Sequence, residues 1–443
     1  MPTIDQRYHQ LHPISLKLYE KAQGLFPDGV THDTRWITPF PIYVTHGIGP
    51  RKWDVDGNEY VDYVMGHGAL LLGHSHPAMV AAVANQAAKG THLGASHELE
   101  IEWANWVTKL VPSAEKVRFT SSGTEATLMA MRLARAYTGR NKVIKFSDHF
   151  HGWHDYVMAG AYSMPGIPDS TLSSMIVLEP NDITIVEHTL AQDLDVAAII
   201  LEPTGAHMGI SPIYPSFLRE LREATQRHGV VLIFDEVVTG FRTSPGGAQG
   251  FFSVTPDLTT LAKILGGGLP GGAVAGRADI LDIIQHTGDH QRDAIQRVAH
   301  PGTFNANPIS AAAGTTTLEL LATTGVNAAA DAAAKRLKDG LNQLLSKMEI
   351  AGCANGIASL VHITLGVWHE CDGEICLLSH QQIRTAMPPE RTSALKRSLL
   401  NAGVDTMGGR TCIVSAVHRE QDTDLAIGAY EEALTAMRSE GIF

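Results

Sequence analysis

Positive charge is scarce and unclustered in this chain. Its 443 residues carry 34 lysines and arginines against 46 aspartates and glutamates, a net charge of −12, with no basic run. Nucleic acids and anionic membrane surfaces are gripped by concentrated positive charge, so this balance speaks against both. Nor does any stretch approach the roughly 18 uninterrupted apolar residues of a membrane span. The start, Met1-Pro2-Thr3-Ile4-Asp5-Gln6, lacks the basic and apolar regions of a signal peptide, and a cytoplasmic location is expected. Cysteine is sparse as well. The four cysteines, Cys353, Cys371, Cys376 and Cys412, make no CxxC pair and suit a reducing compartment better than a disulfide framework. Cys371 and Cys376 flank Asp372-Gly373-Glu374-Ile375, which reads as a tight turn rather than a redox pair. Internal repeats and long low-complexity segments are absent too.

What is present is an ordinary globular composition, 44% hydrophobic and 18% charged. The length allows two or three domains of roughly 100–200 residues each. From about residue 115 to 310, short apolar runs alternate with amphipathic helical stretches. Val143–Phe146, Ala197–Leu201 and Val231–Phe234 read as buried strands of a mostly parallel sheet covered on both faces. Between the last two, Phe217 to Ala224 is a helix closed near His228-Gly229, completing a βαβ crossover. The flanks differ. The first 60 residues carry a helix, an irregular loop and a hairpin turning at Asp56-Gly57. After about residue 312, an alanine-rich helix at Ala328–Leu345 precedes strands at Ser359–Ile363 and Thr411–Ser415. The expected division is an N-terminal segment, 1–60, packing with a small α+β domain, 313–443, beside a large α/β domain, 61–312.

The chemistry begins at the end of one buried strand. Val231-Leu232-Ile233-Phe234 runs into Asp235, and Lys263 follows between the apolar run before it and Gly266-Gly267-Gly268. Either residue alone would be a strand-end carboxylate or a surface lysine. Together in an α/β domain they are the pair that pyridoxal phosphate (PLP) chemistry needs: a lysine to form the Schiff base and a carboxylate to keep the pyridine nitrogen protonated. Ser122-Gly123-Thr124-Glu125 opens a helix running to about Tyr137, with Ser122 and Glu125 at capping-box spacing. A helix start of this kind offers unpaired N–H groups and the positive dipole end to a phosphate.

Two other motifs carry less. Lys263 precedes its glycines, whereas a P-loop lysine follows them, so Gly266 to Gly272 reads as a turn passing closely around a ligand or helix. His149, His151 and His154 lack the helical spacing of a zinc motif, and no metal ligand set is assigned. They fall after the strand Val143–Phe146, on a loop where α/β proteins collect ligands.

These residues resemble the class III aminotransferases of PLP fold type I over nearly the whole chain. Within that class the chain looks like the glutamate-1-semialdehyde aminomutase branch. It is similar there to the D-phenylglycine aminotransferases, through Pro27-Asp28-Gly29-Val30-Thr31, Gly66-His67-Gly68-Ala69-Leu70, Phe150 to Asp155 and Gly408-Gly409-Arg410. The resemblance implies Lys263 as the Schiff-base lysine and Asp235 as the pyridinium partner. It implies Phe150 and Val237 on opposite ring faces, and Ser122, Gly123 and Thr124 at the phosphate. His151, Glu202 and His207 would also face the cofactor. Thr303, in Gly302-Thr303-Phe304-Asn305, would reach the phosphate of a neighbouring subunit, which implies a homodimer with shared active sites. Arg35, His67 and Arg410 would meet the substrate.

Two departures bear on the activity. The branch usually has tyrosine where Phe150 stands, and an acidic gating residue where Arg410 stands. An arginine suits a substrate carboxylate through paired hydrogen bonds. Intermolecular, ping-pong transamination is therefore expected, and the resemblance implies a donor amino acid that is aromatic or bulky, of D- or β-type, with an oxo acid such as 2-oxoglutarate as acceptor. Glutamate-1-semialdehyde aminomutase activity is the alternative. A PLP lyase or racemase would use the same lysine, while a non-catalytic scaffold would have no need of Lys263 with Asp235.

Overall fold

The computed structural model describes residues 2–160, 165–369, 371 and 373–443. Two compact units result, one of Met1–His76 with Val326–Phe443, the other of Pro77–Gly325. The boundaries expected after residues 60 and 312 thus fall instead after 76 and 325. Hydrogen bonding explains the first shift. Strand Glu59–Tyr63 pairs antiparallel with Arg51–Asp54 and parallel with Val404–Thr406, which ties the following residues to the C-terminal segment. The second follows from helix Pro308–Thr323, whose alanines pack against helices Pro77–Ala87 and Glu98–Leu110 of the larger unit. An alanine-rich composition begins inside that helix, not at a boundary.

The smaller unit has a four-stranded sheet, in the order Val44–Ile48, Arg51–Asp54, Glu59–Tyr63, Val404–Thr406. A three-stranded antiparallel sheet accompanies it, with Gly352–Asn355, Leu360–Leu365 and Thr411–Ile413 in that order. Helix Val326–Lys347 buries Leu337, Leu341, Leu344 and Leu345 along one stripe, in a core shared with Ile363, Leu395 and Tyr430. Each such leucine contributes roughly 1.5–3 kcal/mol by leaving water.

The larger unit is built on seven strands: β1 (Lys116–Thr120), β2 (Lys142–Phe146), β3 (Met175–Leu178), β4 (Val196–Leu201), β5 (Val231–Asp235), β6 (Leu258–Ala262) and β7 (Gly272–Gly276). Their order is β1-β7-β6-β5-β4-β2-β3. Only β7 runs against its neighbours, β6 and β1; the other pairings in this sheet are parallel. Residues alternate between two cores. Val231 and Ile233 join the layer of α1 (Gly123–Thr138), whereas Leu232 and Phe234 join that of α2 (Pro215–His228). Gly229 ends α2 at φ 61°, a left-handed cap that a glycine adopts without strain. This crossover returns to pair β4 with β5, Ala198 opposite Val231, as the apolar pattern predicts. The six parallel strands therefore point their carboxyl ends to one edge, where open α/β sheets bind ligands.

Candidate active site

Five of those strand ends supply the residues singled out above. Asp235 is the last residue of β5, and Lys263 follows β6 directly. Glu202 follows β4, the His149–His151 loop follows β2, and Ser122 lies just beyond β1.

Asp235 is buried and held from three sides. His151 Nδ1 lies 2.7 Å from its Oδ2, while the Val237 amide and the Thr260 hydroxyl each donate to Oδ1 at 3.1 Å. Burial lowers the basicity of His151, even against the pull of Asp235, so the ring is neutral with its proton on Nδ1. A carboxylate has about four acceptor positions. Three are used, which leaves room for one further N–H donor. Thr260 is there because β6 pairs with β5 in a register that sets it opposite Asp235.

Glu202 is buried nearby and accepts three backbone N–H groups, from Phe150 (2.8 Å), His207 (3.2 Å) and Met208 (3.1 Å). Burial, with some repulsion from Asp235, pushes its carboxyl up to about 7 despite those donors. His149, also buried, accepts from the Glu202 amide through Nδ1 at 2.9 Å, which puts its proton on Nε2. That bond fixes the loop to the end of β4.

Lys263 is half-buried and takes φ 52°, a left-handed conformation that costs a residue with a side chain roughly 1–2 kcal/mol. Desolvation lowers its pKa, opposed by Asp235 first and Glu202 second. The amine thus sits in the field of both carboxylates. Asp148, His207 and Met208, on loops at the same edge, also have positive φ. Strain gathered at one edge of a sheet is a mark of a functional site.

The N-terminus of α1 completes the arrangement. Ser122 Oγ caps the helix by accepting from the Glu125 amide at 3.2 Å. The Glu125 carboxylate reaches back to the Ser121 amide rather than that of Ser122, so the expected capping box is shifted by one residue on its return arm. As first-turn residues, Gly123 and Thr124 have no acceptor for their N–H groups within the helix. A Cβ on Gly123 would stand 3.0 Å from Val237 and 3.4 Å from Ala262, so only glycine lets the helix start approach the ends of β5 and β6 this closely. A Cβ on Gly152 would meet Thr124 Oγ1 at 2.5 Å, and Thr127 donates to the His151 carbonyl at 2.7 Å. These contacts lock the His149–His151 loop onto the first turn of α1.

Phe150 sits on that loop between two buried histidines, yet the residue is 59% exposed. The residues present fit PLP: an amine in the field of carboxylates, an acceptor with one position to spare, a helix start for a phosphate and an apolar ring facing out. Val237 is half-buried against Gly123. His207 is exposed and contributes its amide to Glu202. Thr303 is exposed, and its carbonyl accepts from His92 Nε2 at 2.6 Å. The glycine turn after Lys263 passes a helix, since a Cβ on Gly267 would strike Thr317 Oγ1 at 2.5 Å. Residues 161–164, a little beyond the Phe150 to Asp155 segment, lie outside the described residues.

The three substrate candidates belong to the smaller unit. Arg35 is exposed, donates to Thr31 Oγ1 at 3.0 Å and has no carboxylate partner among the described residues. His67 stacks on His32 at 5.2 Å between ring centres. Arg410 is half-buried, and its Nε and Nη2 have no hydrogen-bond partner among the described residues. Burial lowers its pKa to about 10, which leaves it cationic at neutral pH.

Two further groups stand at this edge, Thr260 and Lys145. Thr260 is invisible without the pairing of β6 and β5. Lys145, buried and bonded to the Val157 carbonyl at 2.7 Å, stands in a strand whose burial had been read correctly. A lysine inside such a strand was the signal.

The class III aminotransferase family model matches residues 33–357. Glutamate-1-semialdehyde 2,1-aminomutase 2 of Brevibacillus brevis is 38% identical over 435 residues, 95% of this chain and 98% of that protein. Among solved structures, an omega-transaminase from Sphaerobacter thermophilus superposes with a TM-score of 0.87 at 33% identity, covering 96% of this chain and 98% of that one. A β-phenylalanine aminotransferase from Variovorax paradoxus does so with a TM-score of 0.84 at 28% identity, covering 99% of each.

Proposed function

The chain belongs to the class III aminotransferases and is a PLP-dependent enzyme, and from that premise we propose that it transfers an amino group from an amino acid to an oxo acid such as 2-oxoglutarate in a ping-pong cycle. The donor in this reading bears an aromatic or bulky group and is a D- or β-amino acid. The observation that carries it is Arg410. A half-buried guanidinium with two nitrogens lacking a hydrogen-bond partner among the described residues is held at a cost, and its planar fork matches a carboxylate. An aminomutase of the branch has an acidic residue there, which would repel a second carboxylate. Similarity to an omega-transaminase and to a β-phenylalanine aminotransferase supports the same side.

Bound PLP supplies an electron sink for the carbanion formed when the substrate loses its proton. Lys263 would hold the cofactor through Nζ, and its amine, when not so engaged, would be the base that moves the substrate's proton. Desolvation favours its neutral form, as a base requires. Asp235 would keep a proton at the ring nitrogen through its remaining acceptor position, with His151 and Thr260 fixing its orientation. Ser122, Gly123 and Thr124 would hold the phosphate, Phe150 and Val237 would enclose the ring, and Glu202 and His207 would stand near it. Arg35, His67 and Arg410 are assigned to the substrate. Arg410→Ala tests the reading: it raises KM for 2-oxoglutarate far more than KM for the donor if Arg410 receives a carboxylate.

We assign a homodimer, with Thr303 serving the partner's phosphate. Exposed Leu93, Ile101 and Phe304, each at least half accessible, support a second copy on the larger unit. A cytoplasmic location accords with four cysteines joined by no disulfide among the described residues.

The alternative is the aminomutase, favoured by the identity to the Brevibacillus brevis protein. It shares every cofactor residue and differs in requiring no oxo acid.

A further inference from the structure

We propose that the smaller unit carries a closed zinc site formed by Cys353, His369, Cys371 and Cys376. It rests on residues other than those of the amino-transfer reading, although Cys376 lies in the field of Arg410. Cys353 lies on strand Gly352–Asn355, whereas the other three come from the loop that follows strand Leu360–Leu365. One ligand atom each from Cys353, His369 and Cys371 lies within 4.8 Å of the others. Cys376 Sγ is 3.4 Å from His369 Nε2, and Cys371 faces Cys376 across an antiparallel bridge.

The spacing matches the metal. Zinc–sulfur and zinc–nitrogen bonds of about 2.3 and 2.0–2.1 Å in a tetrahedron put sulfur about 3.6 Å from nitrogen and about 3.8 Å from sulfur. The 4.8 Å limit among Cys353, His369 and Cys371 and the 3.4 Å from Cys376 to His369 stand near those separations, and a cation would draw the Cys376 thiol in toward Cys353 and Cys371. Four residues separate Cys371 from Cys376, within the range of a zinc knuckle. His369 Nδ1 points at the Val367 carbonyl, 3.4 Å away, which leaves Nε2 as the coordinating atom in the manner of zinc-bound imidazoles.

The surroundings argue against a chance meeting of buried thiols. Trp368 and Leu377, which bracket the ligands, are 71% and 63% exposed, while Cys353 and Cys376 are buried. An ordinary loop would turn its apolar side chains inward. This one buries Cys376 and half-buries His369 and Cys371 instead, and the Gly356 amide, just past the strand of Cys353, donates to the Gly373 carbonyl at 3.2 Å to hold it there.

Three thiolates and one imidazole form a soft, four-coordinate set that suits zinc over magnesium or calcium. Binding releases the three thiol protons to solvent and involves no change of oxidation state. With four protein ligands no position remains for water, so the ion is structural and pins the loop to the strand.

Metal content of the full-length, PLP-loaded protein decides it, after tag removal and dialysis against zinc-free buffer. The expected result is one zinc per chain. Cobalt added to protein stripped by chelator should give the thiolate charge-transfer and tetrahedral bands of a cysteine-rich site, a readout that needs no variant. Cys371→Ser and His369→Gln should each lower zinc retention at least about tenfold. Zinc-free protein that gives no cobalt–thiolate bands would overturn the proposal. So would retention unchanged in both variants, or a Cys371–Cys376 disulfide in protein purified under reducing conditions.

Discussion

His151 donates through Nδ1 to Asp235 Oδ2 at 2.7 Å, and both side chains are buried at the carboxyl edge of the larger sheet. The bond fixes the direction of the carboxylate that is to keep a ring nitrogen protonated. His151→Ala should therefore lower kcat about 10- to 100-fold, by analogy with lost supporting hydrogen bonds elsewhere, while KM changes little. Asp235→Asn removes the charge itself and should cost more, about 100- to 1000-fold in kcat. Steady-state kinetics on the two variants check that order; a His151 variant worse than Asp235→Asn would contradict it.

Lys263→Ala should abolish turnover, losing the attachment point and the base together, at least about 10²- to 10⁴-fold. The protein should still bind PLP, since the phosphate end of the site is untouched. Equilibrium dialysis with PLP and single-turnover assays separate the two effects.

Glu202 gives a pH signature. Its carboxyl is raised to about 7 in the folded chain by burial, above the ordinary 4.5. The folded state holds that proton more tightly, so folding opposes ionisation. The penalty is absent below about pH 4, grows as pH rises and is complete above about pH 7, at about 3 kcal/mol. Glu202→Gln cannot ionise. Its Tm relative to wild type should climb from pH 5 to pH 8 in PLP-free protein, measured by differential scanning fluorimetry.

A methyl group on Gly123 would press on Val237 at 3.0 Å and crowd the helix start that faces the phosphate. Gly123→Ala should weaken PLP binding about tenfold, an effect of some 1–2 kcal/mol. Because residue 123 has no left-handed φ, stability should fall by less than the cofactor affinity does. PLP titration and thermal melts of the apo-protein compare the two.

If Thr303 serves a partner's site, Lys263→Ala and Thr303→Ala chains should complement each other. Each mixed dimer has one site with an intact lysine and an intact threonine, about a quarter of all sites after statistical mixing. Activity regained on mixing, at limiting PLP, exceeds that of either variant alone.

Much of the site was legible because its residues sit where one short segment defines their environment. Asp235 ends a continuous apolar run, and Ser122 precedes a periodic helix with Glu125 three residues on. Strand ends and helix starts are local features, so the sequence carries them directly. Thr260 and the Cys353 cluster are different. Thr260 matters only because of its register with Asp235, and Cys353 meets Cys371 only because a strand turns back. The boundary after residue 76 was hidden for the same reason, since Val404–Thr406 pairs beside Glu59–Tyr63 from far along the chain. Lys145 differs from both, since a charge inside a continuous apolar strand is visible in the sequence itself.

The most direct test follows the visible absorption of the PLP-loaded protein against single amino acids, with no oxo acid present. The account predicts that an aromatic amino acid, D-phenylglycine or β-phenylalanine, shifts the cofactor band and releases its oxo acid stoichiometrically, as does glutamate, with 2-oxoglutarate restoring the spectrum. Conversion of glutamate-1-semialdehyde to 5-aminolevulinate, with the aromatic compounds inert, would contradict it and establish the aminomutase.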